Sequence, residues 1–169
     1  FREEGISNCE YQLFPLSAIE GLPQLLIRYP ALEGLNVTIP YKQAVKPYLH
    51  TLDGEAFAIG AVNTIKIDHQ GKDPHLKGFN TDVYGFKVSL TPLLKPHHNQ
   101  ALILGSGGAS LAVRYVLDRL NIPYWLVSRK NQAGATTYEA LSEAFIRECP
   151  LIINTTPLGT HPNTKECPP

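Results

Sequence analysis

The 169-residue chain contains no methionine, not even at its first position, which is Phe1. It closes on Pro168-Pro169 without a terminating element, and both ends read as cut, so an incomplete chain is expected. Long apolar runs are absent. Stretches such as Ala101-Leu102-Ile103-Leu104 are far too short for a transmembrane helix, and no signal-peptide core stands near Phe1. Charge of one sign is not in excess: 15 Lys plus Arg balance 15 Asp plus Glu, which argues against a nucleic-acid partner. Cysteine is scarce and odd in number. Cys9, Cys149 and Cys167 lie too far apart for a disulfide framework or a zinc site, and reduced thiols in a cytoplasmic protein are expected. The six histidines form only the pair His97-His98 and singles, so no metal is expected.

What is present describes a globular chain. Hydrophobic residues make up 43% and charged residues only 18%, which excludes disorder, and 13 Gly and 14 Pro are scattered as turn punctuation. The length suits one large domain or two small lobes. Glu10–Phe14 alternates as a strand would, and 18–28 carries Leu22, Leu25 and Leu26 at helical spacing. Leu35–Ile39 reads as a strand stopped by Pro40, and 41–52 as a helix interrupted at Pro47. Ala61–Ile67 is β-branched and alternating, 68–75 is a turn, and Thr81-Asp82 offers an N-cap for a helix over 83–94. Pro92, Pro96 and the polar residues 97–100 mark a boundary.

A strand–helix–strand–helix–strand unit follows. Ala101–Leu104 is a buried strand. Ala109, Ala112, Val113, Val116, Leu117 and Leu120 give a helix one apolar face. Tyr124–Val127 is a second strand, 138–145 a weaker helix and Leu151–Ile153 a third strand. This order requires parallel strands with right-handed crossovers.

Between the first strand and its helix stands Gly105-Ser106-Gly107-Gly108-Ala109. A glycine turn in this position is the setting of a dinucleotide site. One glycine makes the turn, the next admits the pyrophosphate, and the helix start presents free N–H groups to the anion. The third glycine of the usual fingerprint is replaced by Ser110. The second strand ends in Ser128-Arg129-Lys130 where an NAD site carries an acid on the ribose 2′-hydroxyl. Guanidinium matches a phosphate fork, so NADP is preferred; the alternative is a solvated basic turn.

Three further segments bring chemistry together: Asn36-Val37-Thr38-Ile39-Pro40-Tyr41-Lys42, Gly60-Ala61-Val62-Asn63-Thr64 and Gly78-Phe79-Asn80-Thr81-Asp82. Singly they read as a solvated lysine, a turn asparagine and a capping aspartate. In this order, ahead of Gly105–Ser110 and Asn154-Thr155-Thr156-Pro157-Leu158-Gly159, the chain resembles the shikimate dehydrogenase family over nearly all its length.

The resemblance implies an α/β fold of two lobes. Residues 1 to about 85 would form a substrate-binding α/β lobe, and 86–169 a Rossmann-type NADP-binding lobe, truncated. It implies reduction of 3-dehydroshikimate to shikimate with NADPH, on the route to chorismate and the aromatic amino acids. Lys42 matches the catalytic lysine and Asp82 its partner; Thr38 and Asn63 match groups that hold substrate hydroxyls together with that pair. Gly105, Ser106, Gly107, Gly108 and Ala109 match the pyrophosphate turn. Ser128, Arg129 and Lys130 match the 2′-phosphate clasp, and Asn154–Thr156, with Thr156 foremost, the strand end beside the nicotinamide. The family's carboxylate-gripping Ser-x-Ser segment and first strand are expected to lie upstream of Phe1, and its closing helical segment downstream of Pro169. This piece is therefore expected to bind little substrate. Partners are expected to be small molecules only, on a monomer or homodimer. Alternatives are a quinate/shikimate dehydrogenase of relaxed specificity and a catalytically idle binding piece.

Overall fold

A computed structural model describes residues 3–71 and 73–169. The chain falls into two compact units, Phe1–Leu32 and Glu33–Pro169.

In the first unit a 3-10 turn at Ile19–Gly21 leads into α1, Leu22–Arg28, with a proline in its first turn, where the missing N–H costs nothing. The Phe14 and Tyr29 rings pack 4.9 Å apart, tilted at 59°. The expected strand at Glu10–Phe14 does not form. Alternation alone makes no strand without a ladder, and here Tyr11 and Leu13 are exposed.

The second unit contains two four-stranded sheets. The first is built from β1 (Gly34–Asn36), β2 (Thr51–Leu52), β3 (Thr64–Asp68) and β4 (His75–Phe79), in the order β1-β3-β4-β2. β3 and β4 form an antiparallel hairpin, β1 is antiparallel to β3, and β2 is parallel to β4. Ile65, Ile67 and Leu76 point to its buried face. The expected strand Leu35–Ile39 shifts to Gly34–Asn36, although the Val37 N–H still reaches the Asn63 carbonyl at 2.8 Å.

The expected helix over 41–52 is not there. Pro47 has no N–H to give a helix interior, and the segment divides into turns, a 3-10 turn at Lys46–Tyr48 and β2. A short helix, α2 (Gly54–Ile59), follows instead. The Asp53 side chain caps it by accepting the Ala56 N–H at 2.7 Å, and Gly60 ends it at φ +74°.

The second sheet is wholly parallel, in the order β7-β6-β5-β8. Its strands are β5 (Ala101–Leu104), β6 (Tyr124–Ser128), β7 (Thr136–Thr137) and β8 (Leu151–Asn154). The parallel arrangement is the one expected from the strand–helix alternation. Between β4 and β5 runs α3, Asp82–Leu90, shorter than expected because Pro92 restricts the continuation to a 3-10 turn at Thr91–Leu93. α4, Gly108–Arg119, crosses from β5 to β6 and buries Ala112, Val113, Val116 and Leu117. The weaker helix expected over 138–145 is broken. Tyr138–Ala140 is a 3-10 turn, and Ser142 caps a new helix, α5 (Glu143–Arg147), by accepting the Phe145 N–H.

The core of the parallel sheet gathers Leu90, Ala101, Ile103, Val113, Leu117, Ile122 and Leu126. Phe86 of α3 packs against this group and also against Ile59, Ala61, Val83, Ala112 and Val116. One aromatic ring thus belongs to both groups, at the contact between α3 and α4. Among the described residues no helix is long and apolar enough to cross a membrane, and no buried side-chain nitrogen or oxygen lacks a partner.

Candidate active site

The site begins with the backbone of the antiparallel sheet. The Asn63 N–H donates to the Phe79 carbonyl at 3.0 Å while the Asn63 carbonyl takes the Val37 N–H, so the residue is pinned between two neighbouring segments. The Val62 N–H donates to the Lys42 carbonyl at 2.7 Å, which fixes the lysine beside it. Between β1 and Lys42 the chain turns through a cis Ile39–Pro40 bond, with the Tyr41 N–H on the Thr38 carbonyl at 2.9 Å.

The side chains then converge. Lys42 Nζ donates to Asp82 Oδ2 at 2.7 Å, and Asn63 Nδ2 donates to Asp82 Oδ1 at 2.8 Å. Both carboxylate oxygens are therefore engaged by donors from separate segments. The ammonium end of this pair is the more sheltered: the Lys42 side chain is 16% exposed and that of Asp82 35%. Partial burial strengthens the attraction between the charges relative to an open surface. Asn63 Oδ1 in turn accepts the Thr81 N–H at 2.9 Å, which fixes the orientation of its amide.

Lys42, Asp82 and Asn63, expected from sequence, are thus brought into one hydrogen-bonded cluster. Thr38 is not part of it: its side chain is exposed at the turn before Lys42.

One residue of the cluster had no role in the sequence reading. Asn80 is 4% exposed; its amide donates to the Ala61 carbonyl at 3.0 Å, and its carbonyl accepts the Asp82 N–H at 3.1 Å. It performs the capping expected of Thr81, which makes no side-chain cap bond. An Asn two residues before a helix start is the recognisable Asx-turn signal.

The glycine turn stands close by. Across from Lys42, a Cβ built on Gly108 would meet Lys42 Cβ at 3.5 Å and Cδ at 3.7 Å, so the aliphatic stem of the lysine lies against the first residue of α4. A cleft of about 380 Å³ runs between the start of α3 and the start of α4. Lys42, Thr81 and Asp82 supply its polar wall, and Phe86, Ala109 and Val113 its apolar one.

Gly105 leaves β5 at φ +102°, where a side chain is strained, and Gly107 is extended and caps α4. A Cβ on Gly107 would meet nothing within 4 Å, and Ser106 and Gly107 are exposed. Ser110, in place of the third fingerprint glycine, turns its hydroxyl back onto the Gly107 carbonyl at 2.7 Å.

Because β5, β6 and β8 are parallel, the other expected cofactor residues end on the same edge. Ser128 is buried, with its hydroxyl accepting the Lys130 N–H at 3.2 Å and 3.4 Å from Ser106 Oγ. It shapes the turn and leaves Arg129 and Lys130 exposed on it. The Arg129 charge reaches Tyr138, but burial outweighs it and holds the phenol above its usual range. At the end of β8, Asn154 Oδ1 accepts from the Thr156 N–H and hydroxyl at 2.9 and 2.7 Å, and the Thr156 methyl lies beside Gly105. Among the described residues no group of three or more His, Cys, Asp or Glu side chains could hold a metal.

Comparison with known proteins finds similar chains. Residues 1–65 match the profile described as the shikimate dehydrogenase substrate binding domain. The chain is 40% identical to the shikimate dehydrogenase (NADP(+)) of Clostridium beijerinckii, with 94% of this chain and 60% of that one aligned. It is also similar in structure to the chorismate mutase/shikimate 5-dehydrogenase fusion protein of Clostridium acetobutylicum. That match has a TM-score of 0.78 and 33% identity, over 99% of this chain and 63% of the other. Shikimate 5-dehydrogenase of Thermus thermophilus, solved in complex with NADP(H) and shikimate, matches with a TM-score of 0.69 at 33% identity, over 85% and 56%. The chain spans about three fifths of the length of these relatives. At 40% identity over 94% of its length, the chain is similar to a shikimate dehydrogenase (NADP(+)) across the stretch that carries both the lysine–aspartate cluster and the glycine turn.

Proposed function

We propose that the protein carrying this chain reduces 3-dehydroshikimate to shikimate with NADPH. The observation that carries the reading is the 2.7 Å Lys42–Asp82 pair, with Asn63 on the second carboxylate oxygen, standing against the start of the glycine-turn helix. The glycine turn fits a dinucleotide. The space beside Gly107 is open, Ser106 and Gly107 face solvent, and the 12-residue α4 presents its N-terminus there. Gly105–Ala109 would hold the pyrophosphate, Arg129 and Lys130 the 2′-phosphate, and Thr156 would lie on the nicotinamide side. The cofactor, when bound, supplies the hydride.

The chain's own groups supply position and a proton. Lys42 Nζ donates to the ring carbonyl oxygen and protonates it as it becomes an alcohol. Asp82, with its Oδ2 2.7 Å from that nitrogen, restricts the direction of the ammonium. Asn63 and Asp82 together offer an amide and a carboxylate to neighbouring hydroxyls of the ring, and Thr38, at the exposed turn, offers a further hydroxyl. Residues 1 to about 85 serve as the substrate lobe and 86–169 as the cofactor lobe.

The test is NADP-dependent oxidation of shikimate by the whole protein, followed by absorbance of the reduced cofactor. Lys42→Ala should lower turnover about 10²–10⁴-fold and leave the dissociation constant for NADPH within about twofold. Near-normal turnover in that variant, or no activity in the wild type, overturns the reading.

A further inference from the structure

Thr155 stands at the strand end that the proposed nicotinamide side uses, and its side chain bonds across the junction where β5 gives way to the glycine turn. Its hydroxyl lies 2.8 Å from the Leu104 carbonyl oxygen and 2.9 Å from that of Gly105, so one donor is shared between consecutive acceptors. Its backbone N–H adds a 2.8 Å bond to the same Leu104 carbonyl. The contact is close on both sides: a Cβ on Gly105 would meet Thr155 Oγ1 at 3.0 Å and the Thr155 carbonyl carbon at 3.2 Å.

We infer that Thr155 is a positioning residue for the cofactor site, a brace that holds the Leu104 and Gly105 carbonyls toward β8 and so fixes the direction of the N–H groups that follow. The physical need is specific. An anion at the turn requires donors, and a peptide flipped at Gly105 would present a carbonyl in their place. Glycine at φ +102° has unusual freedom to make that flip, because it lacks the side chain that would forbid alternatives. The β5–β8 register, Leu104 beside Asn154, sets the two strand ends level, and the Thr155 hydroxyl then removes the remaining freedom. The same residue joins the pyrophosphate side of the proposed site to the nicotinamide side, since Thr156 follows it directly. The inference rests on the cofactor reading above.

Thr155→Val keeps the shape and loses the hydroxyl, whereas Thr155→Ser keeps the hydroxyl and loses the methyl. Both are made in the whole protein, with thermal unfolding used to verify folding. Titration with NADPH should show a dissociation constant raised about three- to tenfold in the Val variant, the range expected for one hydrogen bond, and within about twofold of wild type in the Ser variant. Turnover at saturating cofactor and the KM for shikimate should stay within about twofold in both. Amide hydrogen exchange without any nucleotide should be faster at 105–109 in the Val variant alone.

Unchanged NADPH binding in the Val variant overturns the inference. So does equal loss in Val and Ser, or loss shared equally by NADPH and shikimate, which marks general loosening. Should the Val variant fail to fold, Thr155→Ala against Thr155→Ser poses the same question. A wild-type protein that binds no NADPH, while the Val variant still speeds exchange at 105–109, refutes the cofactor reading and leaves only the brace.

Discussion

Gly105 and Gly107 stand two residues apart in one turn, and replacing each by Ala should give opposite results. At Gly105 the backbone sits at φ +102°, a region that costs an L residue about 1–2 kcal/mol. The added Cβ would also meet Thr156 Cγ2 at 2.9 Å, Thr155 Oγ1 at 3.0 Å and the Thr155 carbonyl carbon at 3.2 Å. The threonine side chains could rotate, but the carbonyl carbon belongs to a backbone held by the Thr155 N–H bond to the Leu104 carbonyl, just past the β5–β8 ladder. Overpacking of this kind costs about 1–3 kcal/mol, so Gly105→Ala should lose about 2–5 kcal/mol, a large part of a typical domain's stability. With a urea slope near 2 kcal/mol/M, the unfolding midpoint should fall by about 1–2.5 M.

Gly107 is extended, at φ −79° and ψ −174°, which any residue adopts, and its Cβ direction is open. Entropy removed from the unfolded chain favours Ala by about 0.4–1 kcal/mol, and poorer helix capping by Ala offsets a similar amount. Gly107→Ala should therefore keep the midpoint within about 0.5 M, while its methyl occupies the space the pyrophosphate needs and weakens NADPH binding at least tenfold. Urea unfolding followed by circular dichroism, paired with fluorescence titration of NADPH, measures both. A wild-type midpoint for Gly105→Ala, or equal destabilisation by the two substitutions, refutes the turn geometry. Undiminished NADPH binding by Gly107→Ala refutes the placement of the anion.

Arg129→Asp should reverse or erase the preference for NADPH over NADH, because it replaces a phosphate-matching cation by an acceptor suited to a ribose hydroxyl; KM values for both cofactors decide it, and unchanged values refute the assignment. Burial pushes the Cys149 thiol above its usual range, Glu148 adding to the shift. The folded state thus holds its proton longer than the unfolded chain, so this contribution to stability is complete at neutral pH and shrinks as pH rises past about 8.5. Urea midpoints between pH 7 and 10 should fall less steeply in Cys149→Ala than in wild type, and parallel profiles refute the burial argument.

The parallel sheet was legible because its signals agree at every level. Ala101–Leu104 is short and wholly apolar, the glycine turn follows at once, and the α4 face repeats at helical spacing, so pattern and packing point the same way. Residues 41–60 were not, because Pro47 and short elements leave local pattern subordinate to packing. The segment read as one helix divides into turns and β2, and the Asp53-capped α2 and the strand β4 went unread despite their capping and alternating signals. The site shows the same division. Lys42, Asn63 and Asp82 were found by segment and order, but Thr38, in the same segment as Lys42, is exposed outside their cluster, and its place in the sequence does not express that. Asn80 and Thr155 act through backbone groups brought near by folding, and sequence spacing does not express such partners.

The β3–β4 hairpin has a further consequence for how freely the chain length can drift. Asn63 and Asp82 flank the end of the hairpin where Thr64 pairs with Phe79, whereas Asp68 pairs with His75 at the other end, about 13 Å away along the strands. Residues gained or lost in the connection between Asp68 and His75 leave the paired end where it is, so that stretch is open to insertion, tagging or gradual divergence. A single residue inserted between Gly60 and Thr64 has the opposite effect. It inverts the in–out alternation of β3 against both neighbours or carries Asn63 out of reach of Asp82, and no repacking elsewhere restores both.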